Sequence, residues 1–204
     1  MTKGRLFIIS GPSGAGKGTI CNEVLRTEQD MKVSVSMTTR SPRQGEVDSI
    51  HYHFVDHDFF RQLIAEDGFL EYAEVFGNYY GTPRKQVSEW LENGTDVILE
   101  IDVQGAMQVK KSCPEGIMIF ILPPSLEELK RRISVRGSET EESMALRLGK
   151  ALNEISTVGE YDYSVVNDRL DEAVGRVLSI ITAERCRISS DAASRIVNRY
   201  EEGL

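Results

Sequence analysis

Leu6-Phe7-Ile8-Ile9-Ser10-Gly11-Pro12-Ser13-Gly14-Ala15-Gly16-Lys17-Gly18-Thr19 joins a short apolar run to a glycine-rich turn, and a helix-like stretch from Lys17 to Leu25 follows. A strand, a glycine turn and a helix N-terminus in that order point several backbone N–H groups at one spot. The helix dipole favours negative charge at the same place. The spacing G-x-x-x-x-G-K makes the turn a phosphate cradle, with Lys17 reaching the β- and γ-phosphates of a nucleoside triphosphate. An ordinary βα loop that is glycine-rich for steric reasons would leave Lys17 unexplained.

Further apolar runs at 97–101 and 117–122 are short and rich in Ile, Leu and Val, like the run at 5–9. Separated by helical patterns, they predict an α/β protein with a buried parallel sheet and helices on both faces, the three-layer P-loop arrangement. From Val33 to about Tyr80 the pattern changes. Ser34-Val35-Ser36, Tyr52-His53-Phe54-Val55 and Leu70-Glu71-Tyr72-Ala73-Glu74-Val75 alternate like half-solvated strands and predict an inserted β-rich subdomain. Gln86 to Glu92 reads as a helix ended by Asn93-Gly94.

Pro123-Pro124 closes the strand ending at Leu122, and Ser125 is placed to cap a helix running through about Val135. Gly137 breaks it. Ser138-Glu139-Thr140-Glu141 has capping-box spacing and starts a second helix toward Ile155, so a helical hairpin carries arginines on both arms and is built to move as a lid. Tyr163-Ser164-Val165-Val166-Asn167 reads as a last strand, and a long helix follows from about Leu170. The tail from Cys186 to Leu204 extends that helix or mediates self-association. The expected organisation is one domain over 1–204, with a core of 1–35, 93–125 and 158–204, the β-rich insertion at 36–92 and the lid at 126–157.

The chain has 204 residues, 40% of them hydrophobic, enough to bury a full core. No apolar run approaches the roughly 20 residues of a membrane helix, and the N-terminus lacks a signal-peptide pattern. Membrane insertion and secretion are not expected. Cys21, Cys113 and Cys186 are odd in number and widely spaced, which fits unpaired thiols in a reducing cytoplasm. A net charge of −8 argues against nucleic acid as the main partner. The basic residues nevertheless cluster: Arg40 with Arg43, and Lys130, Arg131, Arg132, Arg136, Arg147 and Lys150 within a short span, which suits phosphates.

Val97-Ile98-Leu99-Glu100-Ile101-Asp102 is a hydrophobic strand followed by a carboxylate, where a Walker-B acid faces a metal or its waters. Arg40 and Arg43 flank Pro42 in a surface loop, and guanidinium forks suit a phosphate monoester. Here the sequence resembles guanylate kinase. The resemblance continues through Glu46, Tyr52, Phe69-Leu70-Glu71-Tyr72, Gly77-Asn78-Tyr79-Tyr80-Gly81-Thr82, Ile101-Asp102-Val103-Gln104-Gly105 and Arg136 to Ser143, over roughly residues 5–168.

The resemblance implies a P-loop kinase that phosphorylates GMP with ATP, giving GDP and ADP, in purine nucleotide metabolism. It implies that Gly11, Pro12, Ser13, Gly14, Ala15, Gly16, Lys17, Gly18 and Thr19 bind ATP, with Asn167 near the adenine. Arg40, Arg43, Tyr52 and Tyr80 would hold the GMP phosphate, Glu46 in the same loop would belong to the GMP-binding site, and Ser36, Glu71, Thr82 and Asp102 would surround the guanine. The chemistry of the base agrees. Guanine presents N1–H beside an exocyclic amino group, so one carboxylate accepts both, whereas adenine opposes it with a bare lone pair; such pairing rejects the wrong base by about 10⁴ in favourable cases. Lys17 and the lid residues Arg132, Arg136 and Arg147 would be catalytic.

Gly18 stands where many P-loops place a Ser or Thr hydroxyl on Mg²⁺. Mg²⁺ is therefore expected mainly on phosphates and waters, with Thr19 or Asp102 as indirect contacts, and Glu100 takes no role from the resemblance. His51, His53 and His57 lack the Cys or carboxylate spacing that would complete a metal site. A guanylate-kinase-like protein-binding module and a kinase for another monophosphate are the alternatives. Lys17, Arg40 and Arg43 weigh against the first, Glu71 and Thr82 against the second.

Overall fold

The computed structural model describes residues 3–75, 77–134, 141–188 and 190–203. In chain order the elements are β1 (Leu6–Ser10), α1 (Lys17–Thr27), β2 (Met31–Val33), β3 (Met37–Thr38), β4 (His53–Phe54), α2 (His57–Ala65), β5 (Phe69–Val75), β6 (Asn78–Pro83), α3 (Arg84–Glu92), β7 (Asp96–Glu100), α4 (Val103–Ser112), β8 (Ile117–Leu122), α5 (Leu126–Ser134), α6 (Glu141–Ile155), β9 (Tyr163–Val166), α7 (Leu170–Cys186) and α8 (Ser190–Glu201).

β1 is buried at every position because it lies in the middle of a parallel sheet ordered β2-β7-β1-β8-β9. Successive side chains point to opposite faces. Phe7 and Ile9 pack with Ile20 and Val24 of α1 and with Ala173, Val177 and Ile181 of α7. Leu6 and Ile8 pack with Val87 and Leu91 of α3 and with Ala106 and Val109 of α4. The central strands β1, β7 and β8 are thus covered on both faces, which is why they read as nearly continuous apolar runs, and the result is a three-layer α/β P-loop fold. Truncating a side chain such as Ile8 to Ala costs about 2–5 kcal/mol.

A second sheet, ordered β4-β3-β6-β5, stands beside the first and is mostly antiparallel. Two expectations need correction here. Ser34-Val35-Ser36 is not a strand: β2 ends at Val33, in parallel register with β7, and the chain crosses to the second sheet before Met37. The earlier placement wins because Met31 and Val33 bury apolar side chains in the main core. The helix grouped with the β-rich insertion, α3, buries Val87 and Leu91 under the parallel sheet, because those are its apolar positions.

α5 and α6 pair through their own small cluster of Leu129, Ile133, Met144 and Ala151. Ser125 Oγ accepts the Glu128 N–H at 3.1 Å, as an N-cap does. Val135, Gly137 and the capping-box residues before Glu141 lie outside the described residues. α7 stops at Cys186, where Arg187 turns extended, and α8 is a separate helix. No helix among the described residues is long and apolar enough to cross a membrane.

Candidate active site

The loop between β1 and α1 closes around its own backbone. Gly11 has φ 140°, and a Cβ there would sit 2.2 Å from the Ile121 carbonyl oxygen. Gly16 has φ 91°, and a Cβ there would sit 2.3 Å from Asn167 Nδ2. Asn167 is buried and donates to the Ala15 carbonyl at 2.8 Å, while its own N–H donates to the Leu122 carbonyl at 2.8 Å. The residue that follows β9 therefore holds the loop through its side chain. Lys17 Nζ, at the first position of α1, donates to the Gly11 and Pro12 carbonyls at 2.7 and 3.2 Å. Burial pulls its ammonium below the usual lysine range, against the opposing fields of Glu100, Glu154 and Asp102.

Next to this loop lies a cavity of about 290 Å³, lined among others by Ser36, Tyr52, Glu71, Tyr80, Glu100 and Asp102. Glu71 on β5 faces Thr82 on β6, its register partner, and Thr82 Oγ1 donates to Glu71 Oε1 at 2.6 Å. Burial pushes the Glu71 carboxyl up to about 6, with the Asp102 charge adding to the rise and the Thr82 hydroxyl opposing it. Asp102 caps α4 by accepting the Gly105 N–H at 2.8 Å. Gly105 is needed close by, because a Cβ on it would lie 2.8 Å from Glu71 Oε2.

Arg40 is held in the loop beside the same cavity. Its Nη1 and Nη2 donate to Glu46 Oε2 and Oε1 at 2.8 and 2.9 Å, and Glu46 Oε2 also accepts the Arg43 N–H at 2.7 Å. The guanidinium stands 5.4 Å from the Tyr52 ring centre, and the rings of Tyr52 and Tyr80 meet edge to face at 6.0 Å. Arg40 Nε is buried and has no hydrogen-bond partner among the described residues. The bonds from Arg40 and Arg43 draw the Glu46 carboxyl down to about 2. Arg43 itself is exposed and does not line the cavity, and Glu46 turns to Arg40 rather than into the opening.

On the other side of the loop a cleft of about 280 Å³ is lined by Gly14, Gly16, Thr19, Arg132 and Asn167. Arg132 donates through Nη2 to the Asn167 carbonyl at 3.0 Å and through Nε to Glu128 at 2.7 Å. From α6, Arg147 Nη2 reaches Ser13 Oγ at 3.4 Å. Arg132 and Arg147 therefore approach the P-loop from two directions, and Arg136 lies outside the described residues. Thr19 and Asp102 line different openings, so the structure does not bring these two candidate metal contacts together.

Glu100 is the residue that sequence reading passed over. It ends β7 beside β1, paired in register with Ile9, and a Cβ on Gly18 would lie 3.3 Å from both of its carboxylate oxygens. The available signal was its position at the carboxyl end of a parallel strand next to the loop, where ligands of open α/β sheets bind. The histidines do not converge: His51 Nδ1 accepts the Val47 N–H, His53 meets Ser49, and His57 packs on Tyr79.

A parallel sheet with this loop between β1 and α1, and a helix pair carrying arginines to it, define a P-loop kinase. A family model described as guanylate kinase matches residues 3–184. A guanylate kinase of Clostridium tetani is 56% identical over 204 residues, covering 100% of this chain and 97% of that protein. That of Clostridium acetobutylicum is 58% identical over 186 residues, covering 91% and 88%. The crystal structure of guanylate kinase from Anaplasma phagocytophilum superposes with a TM-score of 0.74 at 36% identity, covering 91% of this chain and 88% of that one. The chain belongs to the guanylate kinase family.

Proposed function

We propose that this kinase moves the γ-phosphoryl group of ATP in line onto the phosphate of GMP, with the donor in the P-loop and the acceptor in the cavity beside it. The observation that carries this reading is the buried Glu71–Thr82 pair, whose Glu71 lines the cavity together with Glu100 and Asp102, two carboxylates whose charges act on Lys17. The Thr82 hydroxyl occupies Glu71 Oε1 from one side and orients the carboxylate, which then accepts both N1–H and the amino group of guanine. Ser36 and Asp102 line the same cavity as further polar partners for the base.

The Arg40 guanidinium and the hydroxyls of Tyr52 and Tyr80 take the GMP phosphate, and Arg43 reaches it from its exposed loop when the loop closes. Glu46 acts through Arg40: its two oxygens hold the guanidinium in place beside Tyr52. Proton abstraction is not required. The acceptor is a phosphate whose second pKa lies near 6, so positioning and charge cancellation suffice. Lys17, Arg132 and Arg147 meet the negative charge on the transferring group.

Glu100 and Asp102 stand beside the loop, Gly18 leaves room for the Glu100 carboxylate, and among the described residues no three ligating side chains converge on one point. Those residues fit a Mg²⁺ held chiefly by nucleotide phosphates and water, with Glu100 and Asp102 receiving its outer waters. When bound, the ion neutralises charge on the β- and γ-phosphates. Cys21, Cys113 and Cys186 are free, which suits a reducing cytoplasm.

Calorimetric titration of GMP into the protein without ATP tests the acceptor assignment. Arg40→Ala and Glu71→Gln are each expected to weaken GMP binding while leaving ATP binding intact. Unchanged GMP affinity in both folded variants would refute it.

A further inference from the structure

β5 is the edge of its sheet, in the order β4-β3-β6-β5, so one row of its backbone N–H and C=O groups has no strand to pair with. A side chain takes that place. Gln108 of α4 accepts the Tyr72 N–H at 3.2 Å and donates to the Tyr72 carbonyl at 3.0 Å, as a neighbouring strand residue would. One turn further along α4, Ser112 Oγ points its hydroxyl at the Leu70 carbonyl at 3.4 Å, sharing it with carbonyls of its own helix.

Between those two anchored residues sits Glu71. The register of β5 on β6 shifts between Phe69 and Glu71, a bulge of the kind that re-aims a side chain. Gly105, Gln108 and Ser112 are spaced three and four apart and therefore share one helix face. Gly105 lets the Glu71 carboxylate come close, and Asp102 starts the same helix inside the same cavity.

We infer that Gln108 is a positioning residue for base recognition: by acting as a surrogate strand for Tyr72, it fixes Glu71 against the Asp102 end of α4. This rests on the reading of Glu71 as the guanine acceptor. One rigid helix then carries both the floor of the base site and the clamp on its wall. Releasing the clamp leaves the Glu71–Thr82 bond in place and frees the pair to shift together, away from the position where one carboxylate meets both guanine donors.

The test compares GMP with inosine monophosphate, whose base keeps N1–H and lacks the exocyclic amino group, in Gln108→Ala, the isosteric Gln108→Glu and Glu71→Gln. Gln108→Glu retains the acceptor for the Tyr72 N–H and loses the donor. Both Gln108 variants are expected to raise the KM for GMP by about tenfold and to lower the GMP preference in proportion, with kcat and the KM for ATP unchanged. Lys111→Ala, on the same helix, is the control and should match the parent protein. Folded Gln108 variants with the parent preference, alongside a Glu71→Gln variant that has lost it, would overturn the role of Gln108 alone. If Glu71→Gln also keeps the preference, the reading of Glu71 falls and this inference falls with it.

Discussion

Thr82 donates its hydroxyl to Glu71 across two paired strands at 2.6 Å, and both residues are buried. A carboxylate in that setting is costly to ionise, and burial pushes it up to about 6 from an ordinary 4.5. The folded state therefore binds a proton that the unfolded state has already released between those two values, so stability falls as pH rises through that window. The effect is about 2 kcal/mol. Glu71→Gln removes it, and the gap in melting temperature between variant and parent should widen in favour of the variant from pH 4.5 to pH 7.

The same titration governs recognition. A protonated Glu71 cannot accept two donors, so GMP affinity is expected to fall as pH drops below about 6, the value of the Glu71 carboxyl. The acceptor phosphate titrates in the same range. The ratio of parent to Glu71→Gln affinity isolates the carboxyl, because both proteins bind the same phosphate; that ratio should shrink toward one at pH 5.

Arg40 depends on Glu46 for its orientation. Replacing Glu46 with Gln breaks one arm of the two-armed pair, and the KM for GMP should rise by about tenfold, the cost of a weakened charged hydrogen bond. The KM for ATP should not move. In a double-mutant cycle, Glu46→Gln should cost little once Arg40 is already Ala, because Glu46 acts through that guanidinium.

Asn167→Ala strips the Ala15 carbonyl of its buried donor, at a cost of about 1–3 kcal/mol. The loop then loses its tie to the end of β9. Steady-state kinetics should show a higher KM for ATP with the KM for GMP unchanged, together with a lower melting temperature.

Gly105→Ala separates fold from recognition. Ala favours the helix by up to about 1 kcal/mol over Gly, yet its Cβ would sit 2.8 Å from Glu71 Oε2. The melting temperature should hold while GMP binding weakens, which calorimetry and thermal denaturation together can read.

The central strands of the parallel sheet were legible because both their faces are covered, so Leu6 to Ile9 and Ile117 to Leu122 are apolar without interruption. The loop was legible because its glycines and Lys17 occupy adjacent positions. β2 was misread because Met31-Lys32-Val33 is short and alternates as readily as Ser34-Val35-Ser36, and only the packing of Met31 and Val33 on the core decides between them. The break between α7 and α8 at Arg187 carries no glycine or proline. At the site, the guanidinium of Arg40 suited a phosphate by residue type and Glu71 entered through the resemblance, whereas the Arg40–Glu46 pair and the approach of Glu100 to Gly18 arise from loop and strand geometry that spacing does not encode.

The most direct measurement is ADP release from ATP and Mg²⁺ with GMP, AMP, CMP and UMP in parallel, for the parent protein and for Arg40→Ala. Turnover with GMP in clear excess over the other three, lost in the variant, is the predicted result. Equal turnover with AMP, or no dependence on Arg40 in a folded variant, would contradict a guanine-reading acceptor site built on Glu71 and Arg40.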